Sequence, residues 1–327
     1  MFERLRRPWS DRRAERLLGT VACLVAVSIA LMVAFVAQRA WPTLSHEGLS
    51  WLGPGGSLDS QISAMVNTGA HPPASAFHVR VWPLIYGTLL TSGLAVLLAL
   101  TISLLTAVFI VDFAPPAVRR LMTPVIRLLA SVPSVVYGLI GILVLVPFVG
   151  NDLITSAQKE SVINVIQLTG AGLAVSVVIL TVMITPIMTA LITDALASVP
   201  RSWHEGAIAL GLNPLRATRA VSLRAVRPAI IAATALAAAR AIGEAIVIDM
   251  VSGGNAFTPK PQDGLIFIFE PLRTLASEII DQGENLSVPA LRSSIYAIAL
   301  LLLFSSFMLS LASRLARRPL RKYEVGG

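Results

Sequence analysis

Five stretches of the chain, residues 17–37, 83–111, 128–149, 168–193 and 293–313, are apolar and carry no charge at all. A helix rises about 1.5 Å per residue, so about 20 such residues cross roughly 30 Å of hydrocarbon. Each stretch is long enough, and none shows the alternation of a half-buried strand. A sixth stretch, residues 228–249, has the same length but contains Arg240 and Glu244. In lipid, backbone polar groups must be satisfied within the segment or by a closed barrel, and uninterrupted runs of this length favour helices. The pattern therefore predicts an all-α membrane protein with six transmembrane helices.

Composition agrees. The chain has 327 residues, 55% of them hydrophobic and only 13% charged, with a mean hydropathy of +0.76. A net charge of +8 fits either a nucleic-acid partner or the basic residues that orient a membrane protein, and their distribution decides between the two. With the N-terminus inside, the cytoplasmic segments hold 18 of the 26 Lys and Arg residues, including Arg119, Arg120, Arg201 and Arg227. The outer loops hold five: Arg80, Lys159, Lys260, Arg273 and Arg292. That asymmetry places both termini in the cytoplasm and makes the excess charge topological, with no nucleic acid as partner. The first apolar run is too long for a signal-peptide core, so it reads as a retained helix. The expected division is a basic N-terminus (1–16), a permeating domain (17–313) and a basic tail (314–327).

The chain's chemistry is sparse. The lone Cys23 excludes a disulfide framework, and the P-loop pattern that holds ATP phosphates does not occur. His204 precedes a glutamate, but no second histidine follows at the spacing of a zinc protease. No metal, cofactor or catalytic residue is expected. Two outer loops are long. Residues 41–82 are rich in Gly, Pro and Ser, which argues against a domain with its own core, and Trp41 and Trp82 mark its ends at aromatic-belt positions. Residues 251–292 mix apolar and acidic segments and predict short helices packed on the outer face. Pro133, with Gly138 and Gly141 behind it, predicts a break or a packing kink in the third span.

Two segments stand out. Residues 203–213 are too polar to cross a bilayer but are spaced as a short surface helix, with Ala207, Leu210 and Gly211 on one side. In 228–249, Arg240 and Glu244 are four residues apart, so on a continuous helix they can meet on one face. Arg240 lies about 18 Å along that helix from Pro228, near mid-membrane, where a charge is costly and usually functional. A guanidinium there suits a crossing oxyanion; a structural ion pair is the alternative. Nine alanines crowd the same segment, which predicts close packing either within the chain or against a second subunit.

The loop sequence Glu205-Gly206-Ala207-Ile208-Ala209-Leu210-Gly211 resembles the "EAA" signature of bacterial ABC-importer permeases: Glu-Ala-Ala, three residues, Gly, nine residues, then Ile-x-Leu-Pro. Gly206 replaces the first alanine, Val221 stands at the isoleucine position, Leu223 matches, and Arg224 replaces the proline. With ASVPSVVYGLIG and ARAIGEAIVI, the chain is similar to the C-type permease of the phosphate-specific ABC importer, from roughly the second span to the sixth. The resemblance implies a type I ABC-importer permease architecture and a paralogous second permease subunit as partner. It also implies two ATPase subunits engaging Glu205, Gly206, Ala207 and Gly211, an extracytoplasmic phosphate-binding protein, and phosphate passing Arg240 and Glu244. A permease of the same architecture for molybdate, sulfate or an amino acid, and a stand-alone ion-driven carrier, remain as alternatives.

Overall fold

The computed structural model describes residues 9–67, 79–256 and 258–317. Among these, every regular element is helical. In chain order they are α1 (Trp9–Glu47), α2 (Leu58–Val66), α3 (Trp82–Phe113), α4 (Pro116–Ala130), α5 (Ser134–Leu153), α6 (Ser156–Val162) and α7 (Leu173–Ala197). The rest are α8 (Arg201–Ala209), α9 (Pro214–Ala225), α10 (Arg227–Ile242), α11 (Ile246–Val251), α12 (Leu275–Asp281) and α13 (Pro289–Arg317). Pro83, Pro116, Pro214, Pro228 and Pro289 occupy first-turn positions. There the missing N–H is no loss and the fixed φ suits the helix.

Five helices are long and apolar enough to cross a membrane, and the bent pair α9 and α10, at 70° to each other, makes a sixth. The centre is α7, with 67% of its apolar window buried. It packs along α3, where Ala95, Ala99, Ser103 and Ala107 recur every four residues and are all fully buried. In lipid, where apolar surface gains little from leaving its solvent, small residues let two backbones approach until dispersion and hydrogen bonds act. Leu180, Ile184, Met188 and Ile192 of α7 fill the buried seam, and the Ser103 hydroxyl donates to the Thr185 carbonyl at 3.1 Å. The alanines of α10 work the same way within this chain: Ala233, Ala237 and Ala241 are buried, and α10 packs on α7, α3 and α13.

The first helix, α1, differs. Its apolar window has no buried residue, so that surface faces lipid or another subunit. It leans mainly on α13, with Phe35 edge-on to Tyr296 at 5.9 Å and Thr43 Oγ1 2.7 Å from Ser293 Oγ.

The sequence expectations need two adjustments. The third span begins at Ser134, not at residue 128: the chain breaks at Ser131–Pro133 after α4 and continues through π turns at Gly141–Leu145 and Val149–Leu153. Proline disfavours a helical residue before it, which is the cause of the break. The first outer loop has more core than its composition suggests. Leu58, Ile62 and Met65 of α2 are buried with Trp51, Leu84, Leu291 and Ile295 in a second apolar cluster. Its His-Pro-Pro segment lies outside the described residues. The short packed helices expected in the second outer loop are present, α12 among them.

Candidate functional site

The loop helix α8 starts after Pro200 and ends in a Schellman motif. The Leu212 N–H donates to the Ala207 carbonyl at 3.2 Å and the Gly211 N–H to the Ile208 carbonyl at 2.8 Å. Closing the helix this way requires a left-handed residue, and Gly211 sits at φ +90°. The glycine of the glutamate-to-glycine spacing therefore marks where one short helix is firmly terminated. It covers residues 201–209, starting and ending earlier than the expected 203–213. Only Ala207 is buried, against the chain itself. Leu210 lies past the helix end and is 87% exposed, so it does not share a side with Ala207 as predicted. Glu205 and Gly206 are exposed, as are Trp203 and Ile208. A Cβ at Gly206 would meet nothing within 4 Å.

The segment that follows, α9, packs on α8 and is tied back to α3. Thr218, in the π turn of α9, donates its hydroxyl to Asp112 Oδ2 at 2.6 Å. Asp112 itself lies in the π turn that ends α3. Arg119 donates Nε to the Ile110 carbonyl at 2.7 Å and Nη2 to that of Val111, satisfying carbonyls at the end of α3. Nothing in the sequence pattern pointed to Asp112 or Arg119, because the π turns that juxtapose them leave no periodic signal.

Arg240 and Glu244 do not share a helical turn. α10 ends at Ile242, Gly243 closes it, and α11 restarts at Ile246. The Glu244 carboxylate turns to the new helix and accepts from the Val247 N–H at 3.4 Å. Among the described residues no ion pair joins Glu244 to Arg240 or any other cation to it. Sequence spacing assumed a continuous helix; the break removes the pairing. Arg240 is left exposed next to Leu236 on the free flank of α10, within electrostatic range of the Tyr137 phenol on α5.

Two helix breaks thus come together. α11 packs on the start of α5, and Gly138 allows it: a Cβ there would stand 2.8 Å from Met250 Sδ and 3.4 Å from the Val247 Cα. Broken helices in a membrane persist only where protein or water satisfies the freed backbone groups. The two breaks therefore lie beside the exposed Arg240 guanidinium.

A third centre lies in the outer loops and was not legible in the sequence. Arg273 donates Nη1 to Asp59 at 3.2 Å and to Glu278 at 2.9 Å, pairs through Nη2 with Asp281 at 3.3 Å, and donates Nη2 to the Gly254 carbonyl. Glu278 is fully buried. Burial pushes its carboxyl up to about 7, because the loss of hydration outweighs the favourable Arg273 charge. Arg127 pairs with Asp194 at 3.1 Å, both largely exposed.

A bundle of long apolar helices with one short exposed helix on its surface and an exposed arginine on a broken span has the build of a multi-pass membrane protein. Residues 99–321 match the family model described as "binding-protein-dependent transport system inner membrane component", and the chain belongs to that family. A probable ABC transporter permease of Bacillus subtilis, YqgH, is 30% identical over 95% of this chain and 94% of its own length. A Mycobacterium tuberculosis phosphate transport system permease, PstC 1, is 31% identical over 76% of this chain and 75% of its own. The fold also matches a chain of the MetNI methionine ABC transporter, captured in inward-facing conformations. The TM-score is 0.51 at 18% identity, over 75% of this chain and 98% of that one. The protein is a multi-pass membrane permease with the type I importer fold.

Proposed function

We propose that this chain is the C-type permease subunit of an ABC importer that carries inorganic phosphate inward. The observation that carries the reading is an exposed guanidinium, Arg240, unpaired with any carboxylate among the described residues, set where α5 and α10 to α11 are both broken. A charge held within a membrane span without a partner is costly, and an oxyanion in transit supplies the partner. Its planar fork matches two phosphate oxygens at once. Glu244, no longer needed to neutralise Arg240, accepts instead from the Val247 N–H in the first turn of α11, so its role is to shape the path rather than to bind. The printed names of several relatives, phosphate transport permeases, support phosphate over another solute.

In this reading α8 is the lever on which an ATPase subunit acts. Glu205, with Trp203 and Ile208 exposed beside it, provides the docking face; Gly206 and Ala207 keep it slim, and Gly211 fixes its end. Two ATPase subunits hydrolyse ATP, a paralogous permease completes the pathway along the flank bearing Arg240 and the bare face of α1, and an extracytoplasmic phosphate-binding protein delivers cargo to the outer loops. Both termini lie in the cytoplasm, in line with the distribution of Lys and Arg. Alternating access then follows as α8 displacement passes through the Thr218 to Asp112 link into α3. The test is copurification from membranes in mild detergent, followed by ATP hydrolysis with and without phosphate-loaded binding protein. Phosphate-stimulated hydrolysis by an associated ATPase is expected. A chain that purifies with no ATPase, or an ATPase stimulated equally by sulfate, contradicts it.

A further inference from the structure

Beneath α8 the chain encloses an open cavity of about 620 Å³, lined by the starts of α4 and α8 and the ends of α3 and α7. Helix N-termini carry partial positive charge and normally take Asp or Glu in their first turn. Neither of these does. Instead α4 brings Arg119 and Arg120 to its fourth and fifth positions, and α8 brings Arg201 to its first and His204 to its fourth. All four side chains line the cavity. Three guanidiniums gathered at two positive helix ends make the cavity electropositive, and an anion lying between them is favoured.

The chain's own acids compensate only in part. Asp112 lines the same cavity, but its Oδ2 is taken by the Thr218 hydroxyl at 2.6 Å. Glu205 is the other acid there and is exposed. Arg119 is committed to the Ile110 and Val111 carbonyls through Nε and Nη2. Arg120 and Arg201 make no ion pair among the described residues. His204 is half-buried, and its Nδ1 atom is sealed from solvent with no hydrogen-bond partner among the described residues.

We propose that this cavity is a cytoplasmic binding site for a phosphate-type oxyanion, held by Arg120, Arg201 and His204 with the amide ends of α4 and α8. The ligand chemistry is a tetrahedral phosphate group, which fits both helix N-termini and arginine forks. It is supplied either by free inorganic phosphate or by the headgroup of an anionic phospholipid at the inner leaflet. The site is separate from the pathway at Arg240. Its consequence rests on the reading of α8 as the ATPase lever: an anion bridging α8 to α4 stiffens that lever at its root, so occupancy tunes coupling.

The test is hydrogen exchange on the assembled complex in nanodiscs, carrying Arg240→Ala so that pathway occupancy does not contribute. One arm adds inorganic phosphate to discs of phosphatidylcholine; the other uses discs containing phosphatidylglycerol. At least threefold slower exchange of amides 117–120 and 202–206 is expected in one arm, phosphate identifying the free anion and phosphatidylglycerol the lipid. Arg120→Gln with Arg201→Gln is expected to abolish the slowing. Exchange that neither anion changes in the Arg240→Ala complex overturns the site even if the double variant does not assemble, and slowing that survives in an assembled double variant also overturns it. Both outcomes leave phosphate uptake by the native complex untouched, so failure here is distinguishable from failure of the transport reading.

Discussion

Replacing Arg273 with alanine tests how the outer loops are held. Glu278 is fully buried, and moving its pKa from 4.5 to about 7 corresponds to about 3 kcal/mol of unfavourable ionisation in the fold. Because the folded pKa is the higher one, the folded chain binds the proton more tightly than the unfolded chain. The stability from this group is fully present below about pH 4.5 and lost as pH rises through 7. Arg273 limits that loss. Without it, ionised Glu278 has no partner, and breaking a buried pair typically costs about 3–5 kcal/mol. Proton uptake caps the penalty nearer neutral pH. The ties to Asp59 and Asp281, whose side chains are 47% and 37% exposed, each add less than about 1 kcal/mol. Arg273→Ala therefore lowers the detergent melting temperature by several degrees at pH 8 and much less at pH 5.5. Glu278→Gln, which keeps a hydrogen bond to Arg273, flattens the pH slope and melts no lower than the native chain at pH 8. A pH-independent loss in Arg273→Ala, or an unchanged slope in Glu278→Gln, refutes the reasoning.

Other expectations follow from single positions. Gly206→Ala fits without contact and removes a glycine from a helix interior, so α8 gains about 0.5–1 kcal/mol, read as slower local hydrogen exchange with coupling retained. Gly211→Ala places a Cβ on a left-handed residue and costs about 1–2 kcal/mol, read as faster exchange at amides 211 and 212 and weaker coupling of ATP hydrolysis to uptake. Ala99→Leu forces bulk into the α3 to α7 seam, where the native residue is fully buried. A loss of about 1–3 kcal/mol is expected, seen as reduced yield of folded protein, while Leu97→Ala on the exposed side of α3 leaves yield unchanged.

The apolar runs made the number and helical nature of the spans legible, since hydrocarbon leaves few other solutions. The existence of the short loop helix was legible, but Gly211 was not: the face pattern put it inside a helix running to 213, whereas its left-handed backbone closes the helix after Ala209. The Arg240 and Glu244 pairing was misread for a physical reason. Spacing of four implies contact only on an unbroken helix, and the apolar, alanine-rich run masks Gly243, the glycine at which α10 stops. The Arg273 centre was invisible because its partner Asp59 lies 214 residues away, and each acid taken alone reads as an ordinary loop residue. The core of the first outer loop was hidden by its glycines and prolines, which obscured the helical four-and-three spacing of Leu58, Ile62 and Met65.

The most direct measurement is uptake of radiolabelled phosphate by proteoliposomes holding the full complex, with binding protein outside and ATP inside. The account predicts accumulation that requires ATP, disappears in Arg240→Ala with assembly and ATP binding intact, and returns in part with Arg240→Lys. Phosphate accumulation without nucleotide, or undiminished in Arg240→Ala, contradicts it.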